Sequence, residues 1–99
     1  GWMFVKLSAI AKKAAKELKW GSREYYHNGK HCMLGAIIHY RRGHEHCLKA
    51  DSHHSLALAI FQMSEKESEM ISIDKILEKN DSKGWNFTRF AKEFKKLGI

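Results

Sequence analysis

The chain has no proline and only two cysteines among its 99 residues. Without proline, no helix interior is broken and no turn is locked by a ring, which suits a helical chain. Cys32 and Cys47 are too few for a disulfide scaffold, and in a reducing compartment both stay thiols. No apolar run approaches the roughly 18 residues of a membrane span, and no secretory signal pattern opens the chain. The expectation is a soluble, cytoplasmic protein with no membrane partner. Acidic charge is scarce in the first half. Residues 1–50 hold ten Lys and Arg against three Glu, residues 51–99 hold eight against eight, and the net charge of +7 is therefore all N-terminal. Such a bias suits an anionic partner, either nucleic acid or an acidic protein surface.

What is present is an ordinary globular composition. Hydrophobic residues make up 43% of the chain, enough for 99 residues to bury one core without metal or disulfide staples. Met3 reads as the native start with Gly1 and Trp2 as an added remnant, and residues 3–98 as a single domain. Leu7, Ile10, Ala11, Ala14, Ala15 and Leu18 recur at helical spacing, with Lys12, Lys13, Lys16 and Lys19 on the complementary face. The spacing predicts an amphipathic helix over 7–20, ended by Gly21 and Ser22. Residues 22–30 read as a loop closed by an Asn28-Gly29 turn.

A second helix is expected over 31–42, with Leu34, Ile37 and Ile38 inward and Arg41 and Arg42 at the C-terminal end, where cations suit the helix dipole. Gly35 inside it costs about 1 kcal/mol relative to Ala. It marks a close crossing, so Cys32, Gly35 and Ala36 read as a thin face that admits another helix. A third helix begins at Asp51 or Ser52 and turns Leu56, Ala59, Ile60 and Met63 inward. Residues 64–70 read as an acidic, flexible connection, 72–79 as a short helix, and 80–84 as a turn. Asn86 or Thr88 caps a last helix whose stripe is Phe87, Phe90, Ala91, Phe94 and Leu97, read as core. With no convincing strand, the fold class is all-α, about five helices in a compact bundle.

All seven histidines lie between positions 27 and 54, together with both cysteines. Zinc takes four N or S ligands, and residues three or four apart on a helix or turn supply two at once. Cys32, His44 and Cys47, completed by His31 or His27, are the candidate zinc set. The same histidines would add charge near their unperturbed pKa of about 6.5, which predicts tighter nucleic-acid binding at pH 6 than at pH 8. Enzyme templates fail. A cysteine-phosphatase loop at His31-Cys32 lacks its arginine, since position 38 is Ile38. His44-Glu45-His46 has the wrong spacing for a zinc protease, and a deaminase needs a proline. Lys79 and Lys83 occupy ligand places in the calcium-like stretch 80–84. Residues 72–97 also admit a helix-turn-helix with Thr88, Arg89, Lys92 and Lys95 on DNA, although the intervening turn is long.

The motif Cys32-Met33-Leu34-Gly35-Ala36-Ile37, followed by Asn80-Asp81 and Gly84, resembles a group of small uncharacterised phage and bacterial proteins. Their pattern is a Cys-x-x-Gly-Ala-Leu helix and a downstream Asn-Asp turn leading into a final helix. Ile37 replaces the usual leucine here, and the last helix is richer in phenylalanine. The resemblance implies a helical fold with no established activity, and a phage-borne protein of the kind that binds and blocks host defence machinery, as anti-CRISPR proteins do. The resulting expectation is a non-enzymatic interaction protein without cofactor. It would contact a host protein, nucleoprotein complex or nucleic acid through Lys12, Lys13, Lys16, Lys19, Arg41 and Arg42. A zinc-binding domain is the rival.

Overall fold

The computed structural model describes residues 5–42 and 61–99. Its elements run α1 (Leu7–Glu17), β1 (Lys19–Trp20), β2 (Tyr26–His27), β3 (Lys30–His31), α2 (Met33–Arg42), α3 (Glu65–Met70), α4 (Ile73–Asp81) and α5 (Phe87–Lys96). The chain is mostly helical but not all-α, because a three-stranded sheet of order β1-β3-β2 replaces the expected loop over 22–30 together with the end of the expected first helix, which stops at Glu17, and the first residue of the second. Its source is Asn28-Gly29, both with positive φ (51° and 78°). Two consecutive left-handed residues make the turn that joins β2 to β3 as a tight hairpin. β1 then adds alongside β3 in parallel. Each strand is only two residues long, too short for an alternating hydrophobic pattern to reveal it.

The core follows the helical stripes. Leu7, Ile10, Ala11 and Ala14 of α1 are fully buried, but Ala15, expected on the same stripe, is exposed. Helix α1 packs along α5, whose Phe87, Phe90 and Phe94 are core residues as the spacing predicts, and α2 packs against α1 and α4. Every residue from 31 to 38 is buried, so α2 is the central helix. The expected third helix lies mainly outside the described residues; of its inward set Met63 is buried, and so is the neighbouring Phe61.

The helix ends show why several boundaries differ. Residues 64–70 are no loose linker, because Ser64 and Glu67 form a reciprocal capping box that starts α3. Ser72 caps α4 through the Lys75 N–H, and α4 runs on through Asn80 and Asp81, the residues expected to form a turn. Asn86 caps α5 through the Arg89 N–H, and Gly98 follows with φ 75°. The main partner of α5 is α1 and that of α4 is α2, which is not the mutual packing of a helix-turn-helix pair. Among the described residues, no helix is long and apolar enough to cross a membrane.

Candidate functional site

Two groups of residues singled out by sequence meet in space, the start of α2 and the end of α4. The Oδ1 of fully buried Asn80 accepts from the Met33 N–H (2.9 Å) and the Trp20 indole N–H (2.9 Å). Its Nδ2 donates to the Gly21 carbonyl (3.1 Å) and to Asp81 Oδ1 (2.9 Å). Both acceptor positions and both donors of the amide are used, so Asn80 is a completed joint and not a vacant ligand. Asp81 Oδ1 also accepts from the Arg23 N–H at 2.7 Å, holding Arg23 at φ 76°. The segment 20–23 is thus tied at three points to the end of α4.

Cys32 completes the same joint. Its Sγ accepts from the Gly35 N–H at 3.4 Å, satisfying one of the open donors in the first turn of α2. Burial pushes its thiol up to about 11, overcoming the downward pull of backbone N–H groups at Gly35 and Leu34. A protonated, buried thiol is a poor nucleophile and a poor metal ligand. Gly35 does mark a close approach, but of a loop and not of a helix. A β-carbon there would lie 2.7 Å from the carbonyl carbon of Tyr25 and nearer still to its oxygen. That carbonyl also accepts from the Cys32 N–H at 3.3 Å.

Among the described residues, no three of His, Cys, Asp and Glu gather as a metal site. His44 and Cys47 lie outside the described residues. His31 is buried, packed between Tyr26 (4.8 Å between ring centroids) and His39 (5.2 Å). His27 is on the surface, its Nδ1 2.9 Å from Glu24 Oε2.

The expected cationic face divides in two. Arg41 departs from it, because its side chain is 1% exposed and makes a bidentate pair with Glu67, both contacts at 2.9 Å. It also donates to the Gln62 and Val5 carbonyls, each at 3.0 Å. Burial alone would raise Glu67, but the hydrogen bonds from Arg41 and Ser64 and the charge of Arg41 outweigh it and hold the carboxyl below its ordinary value. Arg41 is an internal clamp with no charge to offer a partner. Lys13 is turned toward Glu17 (3.3 Å) and the Tyr40 ring (5.9 Å), and Tyr40 donates to Glu17 at 2.8 Å. Arg42 is exposed at the end of α2.

Lys12, Lys16 and Lys19 remain, all exposed and with no acidic partner among the described residues. Lys12 and Lys16 are one turn apart, beside exposed Ala15, and Lys19 opens β1. The sheet adds a residue that sequence reasoning missed. Lys19 is directly opposite Lys30 of β3, and Lys30 is opposite His27 of β2. Cross-strand partners share a face, so the solvent side of the sheet carries the row Lys19, Lys30, His27. The Asn28-Gly29 turn was the signal that could have placed Lys30 there. Beside this row lies an open groove of about 400 Å³ lined by Trp20, Gly21, Ser22, Glu24, His27 and Lys30.

Comparison of the chain with protein-family models, curated proteins and solved structures finds no match.

Proposed function

We propose that this chain is a non-enzymatic interaction module that binds nucleic acid, free or within a host nucleoprotein complex, through Lys12, Lys16, Lys19 and Lys30. The observation that carries the reading is the Lys19 and Lys30 pair. Like charges directly opposite on a sheet destabilise it, and among the described residues no acidic side chain pairs with either of them. Phosphates along a backbone would do so, and Lys16 and Lys12, exposed one turn apart on α1, would extend the contact. The buried, protonated Cys32 and the saturated Asn80 supply no reactive group at the joint between α2 and α4, which supports binding over catalysis. The resemblance to small phage and bacterial proteins supports host defence machinery as the setting.

The test is fluorescence anisotropy with labelled DNA and RNA as salt is raised. Engagement of three or four phosphates by single strands predicts a slope of log affinity against log salt of about −2 to −3. Lys19→Glu with Lys30→Glu should flatten that slope by about 1.4. Failure to bind any nucleic acid at low salt, with the fold intact, would overturn the reading.

A further inference from the structure

Resting on that reading, we infer that the preferred ligand is single-stranded nucleic acid, with one unpaired, amino-bearing base seated in the groove beside the lysine row and its phosphate between Lys19 and Lys30. The groove volume of about 400 Å³ falls within the roughly 300–1,000 Å³ of small-ligand sites, and its lining is of the mixed kind such sites use. Ser22 supplies a hydroxyl and Glu24 a carboxylate, while Trp20, whose indole is turned inward to Asn80, closes the inner end of the groove. A positively charged groove that follows the backbone is one of the two devices by which unpaired strands are held.

The groove is built in advance. Asn80 fixes the Trp20 indole and the Gly21 carbonyl, and Asp81 fixes the Arg23 N–H. Gly21 lets Lys30 lie across it, since a β-carbon at 21 would come within 2.8 Å of the Lys30 Cβ. The wall that would meet a base is therefore held to the end of α4 by hydrogen bonds, two of them partly buried, and needs little ordering on binding, which favours affinity. Lys30 lines the groove and Lys19 lies opposite it across β1 and β3, which places positive charge for the phosphate side of a nucleotide.

Glu24 decides which base edge fits. Its Oε2 lies 2.9 Å from His27 Nδ1, an arrangement that orients the carboxylate and leaves Oε1 to accept from a donor. Cytosine and adenine present an exocyclic amino group that can donate to it, whereas thymine and uracil present carbonyl oxygens at the corresponding positions. Inside a duplex the base is held in the stack and cannot enter the groove.

The experiment compares affinity for oligo(dC), oligo(dT), a dG·dC duplex and inorganic polyphosphate of equal charge, at one salt concentration, for the parent protein and for Glu24→Gln. The parent should bind oligo(dC) about fivefold more tightly than oligo(dT), the worth of one accessible hydrogen bond. It should also bind oligo(dC) more tightly than the duplex or polyphosphate. Glu24→Gln, altering an exposed side chain, should erase the preference for oligo(dC) over oligo(dT), while polyphosphate, which has no base to read, binds no more weakly than to the parent. Equal affinity for all four ligands would overturn the base site while sparing the lysine track. Tighter binding of the duplex would also overturn it, and loss of binding to every ligand would remove both readings.

Discussion

The side-chain oxygen of Asn80, in the last turn of α4, accepts from the backbone N–H of Met33, the first residue of α2, at 2.9 Å. A helix N-terminus leaves its first N–H groups without internal partners, and a buried one must find them elsewhere. Asn80, 47 residues further along the chain, supplies one, and the Cys32 thiol supplies another.

Asn80→Ala would strip partners from the Met33 and Trp20 N–H groups and the Gly21 carbonyl together. The expected loss is about 3–5 kcal/mol, because an abandoned buried polar group costs more than a hydrogen bond contributes. Urea denaturation measures it. Asn80→Asp keeps the shape but sets a second carboxylate against Asp81, so its deficit relative to the parent should shrink as pH falls.

Gly35→Ala improves intrinsic helix propensity by about 1 kcal/mol. It should nevertheless lower stability. Overpacking against the Tyr25 carbonyl costs about 1–3 kcal/mol, and disturbing the Cys32 to Tyr25 hydrogen bond costs about 1 more. A net loss of about 1–3 kcal/mol is expected by thermal or urea unfolding. A more stable variant would contradict the close approach.

The Arg41 and Glu67 pair makes stability depend on acid pH. Glu67 titrates below its ordinary 4.5 in the folded chain. Its contribution is thus complete above 4.5 and fades as pH falls through the lower folded value. Unfolding free energy should drop over that acid range in the parent and change less in Glu67→Gln. That variant should lose about 3–5 kcal/mol at neutral pH, since it strands a buried guanidinium. Measurement of urea midpoints across acid and neutral pH checks both statements.

Lys19→Glu should make the protein more stable and a weaker binder. Opposite charges would replace like charges across β1 and β3, a gain within the roughly 0.2–1 kcal/mol range of cross-strand pairs. Matched thermal unfolding and anisotropy measurements test the pair of outcomes. A surface lysine kept only for solubility would not show this opposition.

Much of the helical framework was legible because it is periodic. The stripes of α1 and α5, the start of a helix at Ser72, Asn86 as one of two candidate caps, and Gly35 as a close approach all follow from local spacing or from the cost of a helical glycine. The sheet was not, since two-residue strands carry no pattern and only Asn28-Gly29 hinted at a hairpin. Helix α3 was hidden for another reason: an acidic run looks like a linker unless the Ser64 and Glu67 capping box is recognised. Cationic residues were the least legible part of the site. Nothing local distinguishes buried Arg41 from exposed Arg42, and the distinction arises when Glu67 reaches the first of them.

The sequence by itself determined which faces of α1 and α5 are apolar, where glycine was needed and how the charge divides between the halves of the chain. Those properties depend on residue type and short-range spacing. Tertiary structure decided the rest: Asn80 and Cys32 became parts of a filled joint, Arg41 an internal clamp, and Lys30 the partner of Lys19. A polar side chain's role depends on the donor, acceptor or charge that packing sets beside it, and residues far apart in sequence supply that neighbour.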